Sequence, residues 1–385
     1  MTIQKLFIFA GERSGDLHGS HLITALKALK PPLSFTAVAG PKMRTCEIKC
    51  LLPMEKFQVM GFTDVLFHLP KLYRHFHFIC RHIQETKPDV VILIDYPGFN
   101  LRLAKALRKR GYTGKIVQYI CPSVWAHGKG RVETLEEAFD LLLTIYPFEN
   151  KYFSLCKLSL CYVGNPLCEY IESYPYDIGW KQKAVNNHEN LIALFPGSRE
   201  HEIKRHLPLI LGTAEKILQS EPNAVFGLSL IDNTSLKLIE NIVKKYSQAL
   251  QKALFFVPVH YTYELMQGAK SAIAKSGTVT LELALHRCPT VVIYTLTKLN
   301  RLIAKYILRV NLPYYCIVNI LLKKQTFIEL IDKAPNPSSI YAAYRKMNED
   351  RLSCLSDLDT LKNLLKNELK QAPSEAAAKA VLGLE

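Results

Sequence analysis

Two loops in the first half of the chain carry carboxylates suited to binding or deprotonating a sugar hydroxyl. The first, residues 10–19 (AGERSGDLHG), follows an apolar run and precedes helical spacing, which predicts a strand, a glycine-rich turn and a helix. Its carboxylates repel phosphate but accept hydrogen bonds from hydroxyls and amides. It matches neither the dinucleotide fingerprint nor the phosphate loop. We therefore predict a sugar-binding loop whose candidate residues are Glu12, Ser14, Gly15, Asp16 and His18.

The second loop, residues 95–100, follows the most apolar predicted strand, residues 90–94. Because ligands bind at the carboxyl ends of parallel strands, we predict that Asp95 is a half-buried general base. The alternative is an aspartate that closes a turn or caps the next helix. Asn100 and Ser123, the latter in a third loop at residues 120–126, are further candidates for binding the same sugar.

Two loops in the second half are suited to a nucleotide diphosphate. Residues 194–200 (LFPGSRE) and 274–282 (AKSGTVTLE) each end a predicted strand and open a helix, where backbone N–H groups bind phosphate. Arg199 offers a planar fork of hydrogen-bond donors to phosphate, and Glu282 can accept hydrogen bonds from ribose hydroxyls. Helix capping is the alternative role for Arg199, Ser276 and Thr278. The candidates are Gly197, Ser198, Arg199, Ser276, Gly277, Thr278 and Glu282.

Other reactive residues do not form a known site. The histidines of residues 201–206 (HEIKRH) are one place too far apart for a zinc-binding H-E-x-x-H motif. Asp357 and Asp359 resemble a metal-binding acidic pair but fall in a predicted helix. The ten cysteines are scattered without a C-x-x-C pair, which indicates reduced thiols. We predict no metal site and no cofactor.

The elements that position these loops alternate between short apolar runs and helical spacing. The predicted strands of the first half are residues 6–9, 35–39, 90–94, 116–119 and 141–145. Those of the second half are residues 191–195, 225–230, 253–257, 271–274 and 290–294. This alternation predicts an α/β chain of two doubly wound Rossmann-like domains facing across a cleft, with C-terminal helices. We place the domains at residues 1–168 and 169–345, with a helical tail at 346–385 that packs back on the body.

The composition indicates an anionic partner. The net charge of +15 suits nucleic acid, a phosphorylated substrate or an anionic membrane surface, although a generally basic proteome explains it equally well. The N-terminus has no signal-peptide pattern, and the best apolar window, residues 303–322, is interrupted by charges and a proline.

A basic amphipathic helix is predicted around residues 70–83. Leu69, Leu72, Phe76, Ile79 and Ile83 form one apolar stripe, Pro70 suits the first turn, and the other faces carry lysine, arginine and histidine. Such a helix fits a membrane surface, with the apolar stripe as the face that attaches and the basic side chains near anionic lipid. An ordinary domain surface explains the pattern equally well.

Several motifs together resemble the lipid-A-disaccharide synthases. They are residues 10–19, 60–62, 95–100, 122–126, 164–167, 196–199 and 276–282, in the order of that family. Asn319 matches a family asparagine near the nucleotide. The chain departs from the family pattern at Arg13, His127, Asn165, Val318 and Asp332.

The resemblance implies a metal-independent, inverting glycosyltransferase of the GT-B type. The implied donor is UDP-2,3-diacylglucosamine, and the implied acceptor is 2,3-diacylglucosamine 1-phosphate. The products are the β-1,6-linked disaccharide 1-phosphate and UDP. Asp95 corresponds to the base of the family motif, and Arg199 corresponds to the arginine of its Pro-Gly-Ser-Arg motif. We predict that Glu12 and Arg199 are further catalytic residues. The family implies a cytoplasmic enzyme peripheral to the inner face of the inner membrane, with a homodimer as one possible assembly.

Two other classes of function remain open on the sequence. A non-catalytic nucleic-acid-binding protein explains the charge but has no use for paired phosphate loops. An epimerase of UDP-N-acetylglucosamine shares the fold but needs no membrane-facing helix. An N-acetylglucosaminyltransferase of the same fold is a further alternative.

Overall fold

The computed structural model describes residues 3–57, 62–124, 129–230, 235–295, 313–331, 335–366 and 371–384, with only the backbone at 62–69 and 129. The chain forms two compact units, Met1–Tyr170 with Leu365–Glu385, and Ile171–Leu364. The first 19 residues of the predicted tail therefore pack with the second unit. The last 21 return to the first.

The first unit contains a parallel seven-stranded sheet in the order β3-β2-β1-β4-β5-β6-β7. The strands are β1 (Lys5–Ala10), β2 (Ser34–Ala39), β3 (Lys49–Pro53), β4 (Val90–Ile94), β5 (Lys115–Tyr119), β6 (Leu141–Thr144) and β7 (Ser159–Tyr162). Its helices are α1 (Arg13–Leu29), α2 (Pro41–Arg44), α3 (Phe62–Thr86), α4 (Pro97–Lys109), α5 (Lys129–Ala138), α6 (Pro166–Glu172, which crosses the boundary) and the C-terminal α16 (Pro373–Leu382).

The second unit contains a parallel six-stranded sheet in the order β10-β9-β8-β11-β12-β13. The strands are β8 (Leu191–Phe195), β9 (Val225–Ser229), β10 (Leu254–Val257), β11 (Ser271–Lys275), β12 (Thr290–Tyr294) and β13 (Ile328–Ile331). Its helices are α7 (Trp180–Val185), α8 (Glu200–Ser220), α9 (Leu236–Val243), α10 (Gln248–Ala253), α11 (Thr262–Gly268), α12 (Val279–Leu285), α13 (Ile317–Leu322), α14 (Pro337–Glu349) and α15 (Arg351–Leu364).

The central strands confirm the apolar runs of the sequence. Every residue of β4 and of β8 is buried, as expected for parallel strands covered on both faces by helices. All ten predicted strands are present, and each observed strand end lies within one residue of the predicted end. The three that were not predicted, β3, β7 and β13, lie at sheet edges, where half-exposed residues break the continuous apolar pattern.

The C-terminal helix α16 is held on the first unit by a partly buried carboxylate. Glu169 Oε2 accepts the Ser374 backbone N–H at 2.9 Å, and Oε1 accepts the Ser374 hydroxyl at 2.5 Å. At the other end of α16, the Lys115 ammonium donates to the Ala380 and Val381 carbonyls. An anion at the N-terminus and a cation at the C-terminus both complement the helix dipole.

Helix α3 differs from its sequence prediction in start and orientation. It begins at Phe62, so Pro70 lies inside it and not in its first turn. Ile79 and Ile83 of the predicted apolar stripe are buried in the core, and Leu72 and Phe76 pack partly against the same core. The stripe therefore faces the sheet, while Tyr73 and Phe78 are exposed. Within the described residues, no helix is long and apolar enough to cross a membrane.

Candidate functional site

The strand order brings the candidate loops together in pairs. In the first sheet the order reverses between β1 and β4, so the loops at Glu12 and Asp95 flank the reversal. In the second sheet the order reverses between β8 and β11, which places residues 197–199 beside residues 275–278. Doubly wound sheets bind ligands at these switch points because the adjoining loops diverge there and leave a crevice.

Asp95 lies in a constrained turn at the end of β4. Asp95 and Tyr96 both adopt left-handed backbone conformations, with φ of 48° and 47°, which non-glycine residues rarely adopt. The Asp95 carbonyl accepts hydrogen bonds from the amides of Asn100 and of the fully buried Gln118, the latter at 3.2 Å. Asn100 therefore fixes the Asp95 turn, and its own side chain is fully buried.

The surroundings of Asp95 suit a general base. Burial raises the pKa of its carboxyl, and the Tyr96 backbone N–H offsets this in part. A cavity of about 1240 Å³ opens beside it, and we call this the Asp95 cavity. Its lining is mainly apolar, with two carboxylates and two arginines: Glu12, Leu72, Arg74, Phe76, Asp95, Tyr96, Phe99 and Arg102. The cavity therefore has room for a sugar beside the carboxylates and for an apolar substituent along the aromatic wall.

The first glycine-rich loop contributes Glu12 to this cavity. Gly11 packs so closely on Tyr96 that an added Cβ would lie 3.0 Å from the ring. This close approach places exposed Glu12 on the Asp95 side, and its charge helps to raise the pKa of Tyr96 after the effect of burial. The two loops therefore form one site.

Other candidates from the same loop point into the protein. Asp16 Oδ1 accepts the backbone N–H groups of Gly40 and Met43, and Oδ2 accepts that of Lys42, at 2.8–3.0 Å. Asp16 thus caps α2. His18 is buried next to the Tyr119 ring, and burial lowers its pKa to about 4, so it is neutral at neutral pH. Ser14, Gly15 and Ser123 do not line the Asp95 cavity.

Replacing Asp16 with Ala is expected to lower the free energy of unfolding by roughly 2–4 kcal/mol, because three backbone N–H groups lose their acceptor. Urea unfolding measures this, with the exposed Glu85→Ala as a control of the same charge change. Unchanged stability together with lost sugar binding would instead assign Asp16 to the ligand.

In the second unit the two phosphate-type loops share a pocket of about 360 Å³, which we call the loop pocket. It is lined by Gly197, Ser198 and Arg199 from one loop and by Gly277, Thr278 and Glu282 from the other. Gly197 has a φ of 116°, and an added Cβ would lie 2.8 Å from Glu202. Only glycine fits this turn.

A buried ion pair that the sequence did not reveal organises the loop pocket. Glu202 Oε2 accepts the Ser198 backbone N–H at 2.9 Å, while Oε1 lies 2.9 Å from the Lys275 ammonium. The Arg199 guanidinium lies 3.6 Å from the same carboxylate and is largely exposed. Although burial opposes it, the contacts with Lys275, Ser198 and Arg199 lower the pKa of Glu202. Two cations, Lys275 and Arg199, therefore lie against the single Glu202 carboxylate, and Glu282 adds a second carboxyl group to the pocket lining.

Three remaining candidates differ in their surroundings. Burial raises the pKa of Glu282, whose carboxylate accepts a hydrogen bond from Tyr263 at 2.8 Å while lining the pocket. Ser276 does not line it. Asn319 is fully buried away from the lining, where its amide bonds Glu329 and the backbone of Thr326 and Phe327.

Several residues of the family motifs, among them Met60, Trp125, His127 and Asp332, lie outside the described residues. Within the part that the structure describes, no three His, Cys, Asp or Glu residues are arranged to hold a metal ion.

Comparison with known proteins finds one family across almost the whole chain. A family model described as lipid-A-disaccharide synthetase matches residues 6–382. The lipid-A-disaccharide synthase of Chlamydia pneumoniae is 37% identical over 353 residues, which are 89% of this chain and 56% of that protein. The one from Methylobacillus flagellatus is 33% identical over 376 residues, which are 97% and 98% of the two chains. The chain thus spans about half the length of the chlamydial relatives.

Solved structures share the fold at low sequence identity. A putative UDP-N-acetylglucosamine 2-epimerase from Listeria monocytogenes has a TM-score of 0.63 at 11% identity, covering 98% of this chain and 94% of its own. The calicheamicin glycosyltransferase CalG4 has a TM-score of 0.60 at 12% identity, covering 100% and 99%. The predicted architecture of two Rossmann-like domains is thereby confirmed.

Proposed function

Because the chain belongs to the lipid-A-disaccharide synthetase family, we propose that it is an inverting glycosyltransferase acting on acylated glucosamines. Its donor is UDP-2,3-diacylglucosamine and its acceptor is 2,3-diacylglucosamine 1-phosphate. The observation that carries the proposal is Asp95, a carboxyl of raised pKa beside a mainly apolar cavity. Such a cavity suits a sugar that bears acyl chains.

The reaction follows from the roles of the two sites. Asp95 takes the proton from the acceptor 6-hydroxyl as that oxygen attacks the anomeric carbon of the donor. The bond from this carbon to the UDP oxygen breaks, and the configuration inverts to the β-1,6 linkage. Glu12 lies in the same cavity and accepts hydrogen bonds from acceptor hydroxyls.

The loop pocket holds the leaving group in this proposal. The Arg199 guanidinium and the backbone N–H groups at Gly277 and Thr278 stabilise the charge that develops on UDP. Lys275 adds a second cation, which offsets the negative charge of Glu202. Glu282 accepts hydrogen bonds from the ribose.

The decisive experiment supplies purified protein with both acylated sugars and measures free UDP and disaccharide together. Equal amounts of both products support the proposal. UDP released without acceptor would indicate hydrolysis, and conversion of UDP-N-acetylglucosamine to its 2-epimer would favour an epimerase. Either result would contradict the proposed transfer.

We also propose that α3 attaches the enzyme reversibly to an anionic membrane surface at the inner face of the inner membrane. Tyr73 is 66% exposed and Phe78 is 47% exposed, and they lie among exposed Lys71, Arg74 and Arg81. Each basic side chain near anionic lipid contributes about 1 kcal/mol. Such binding weakens as salt increases.

Replacing Lys71, Arg74 and Arg81 with Glu is expected to release the protein from anionic vesicles at low salt while UDP binding is unchanged. Co-sedimentation with anionic and neutral vesicles at low and high salt measures this. The matched control replaces three exposed lysines of the second unit, Lys237, Lys244 and Lys252, and changes the net charge equally. Equal sedimentation of all three proteins would refute membrane attachment through α3.

A further inference from the structure

A second cavity beside α3 carries several basic groups. It measures about 470 Å³ and is lined by Leu52, Lys56, Lys71, Arg74, His75 and Phe78. We call it the cationic pocket. Lys56 ends the 3₁₀ turn Met54–Lys56, while the other basic side chains project from one stretch of α3.

The charges of this pocket are not balanced by carboxylates. Among the described residues, no ion pair involves Lys56, Lys71 or Arg74. The carboxylate of nearby Glu55 pairs with Arg44 instead: its two oxygens accept hydrogen bonds from the guanidinium at 2.9 and 3.1 Å. The pocket therefore holds three cations and suits a multivalent anion.

His75, which lines the pocket, also carries a buried polar atom. Its Nδ1 is buried and has no hydrogen-bond partner in the described structure. Burial lowers its pKa, and the charges of Lys56, Arg74 and Lys71 lower it further. An anion bound among these cations would oppose their effect on the pKa of His75.

The cationic pocket adjoins the Asp95 cavity. Arg74 lines both. The His75 ring packs on Phe57, with 5.6 Å between ring centroids, and the Phe57 carbonyl accepts the Tyr96 hydroxyl at 3.0 Å. An acceptor whose hydroxyl lies at Asp95 can therefore extend its other end towards the cations of the neighbouring pocket.

We propose that the cationic pocket binds the phosphate monoester of the acylated acceptor sugar, and that Lys56, Lys71 and Arg74 determine specificity for it. The inference rests on the proposed function, since it concerns the second end of the same acceptor. A phosphate monoester carries nearly two negative charges at neutral pH, which matches an unpaired cluster. Leu52 and Phe78 supply apolar contacts for a neighbouring acyl chain.

The test compares two water-soluble, short-chain diacylglucosamines, with and without the 1-phosphate. Binding is measured by calorimetry on wild type, Lys56→Gln and Lys71→Gln, with the exposed Lys49→Gln as control. We expect wild type to prefer the phosphorylated ligand and each variant to reduce that preference about tenfold. Both variants should bind the phosphate-free ligand with the affinity of wild type. Lys49→Gln should bind both ligands with the affinity of wild type.

Vesicle binding separates this phosphate from that of a membrane lipid. Lys56→Gln should sediment with anionic vesicles like wild type, whereas Arg81→Gln should sediment less. Equal losses for both soluble ligands, or a loss seen only with anionic vesicles, would overturn the phosphate site.

The outcome is separable from the proposed function. If Lys56→Gln loses the preference for phosphate but wild type makes no disaccharide, the site stands and the transferase proposal fails. If wild type makes disaccharide and Lys56→Gln shows the same ratio of rates with the phosphorylated and phosphate-free acceptors as wild type, the transferase proposal stands and the phosphate site is wrong.

Discussion

Replacing Asp95 with Asn is expected to lower the turnover of bound substrates about 10²- to 10⁴-fold, because the amide has the same shape but cannot accept the proton. UDP affinity should not change, since the candidate UDP-binding residues belong to the second unit. Single-turnover kinetics and UDP titration measure the two effects. Glu133→Gln, an exposed carboxylate of the first unit, serves as the control.

The same residue predicts the acid side of the pH profile. Burial raises the pKa of Asp95, so kcat/KM should fall on acidification at a pH above the usual aspartate value of about 3.9. The base must be ionised, and activity is therefore present above this pKa and lost below it. The acid limb should disappear in Asp95→Asn. Lost UDP binding with normal turnover of bound substrate would show instead that Asp95 is structural.

Replacing Arg199 with Ala is expected to lower kcat/KM about 10²- to 10³-fold, because one charge-assisted contact to the leaving group contributes a few kcal/mol. The fold should persist, since the side chain is 60% exposed and its described ion-pair contact, with Glu202, is 3.6 Å long. Thermal unfolding checks the fold. UDP-release kinetics measure the loss.

A matched control for Arg199 is Arg345→Ala, which removes an equally exposed arginine from a helix surface of the same unit. It should alter neither kinetics nor UDP affinity. Wild-type turnover in Arg199→Ala would exclude a role in leaving-group stabilisation. In that case Lys275, 2.9 Å from Glu202, would be the remaining cation lining the described loop pocket.

The sequence by itself determined the type of sheet and the loops that follow its strands. Runs such as residues 90–94 and 191–195 are apolar throughout because both faces of a parallel strand are covered. Glycine and polar residues follow such runs, and they identified Glu12, Asp95 and Arg199 as candidate site residues. These signals are local, so they are readable without knowing which strands are neighbours.

Only the tertiary structure decided which residues act together. The strand order pairs Glu12 with Asp95, and the Glu202–Lys275 ion pair joins residues 73 positions apart. Asp16 looked like a ligand for sugar, but its acceptors are used by backbone groups 24–27 residues away. The α3 stripe similarly faces the core. The partners of a side chain are often residues that are distant in sequence. Local periodicity and residue type do not predict which distant residues the fold brings into contact.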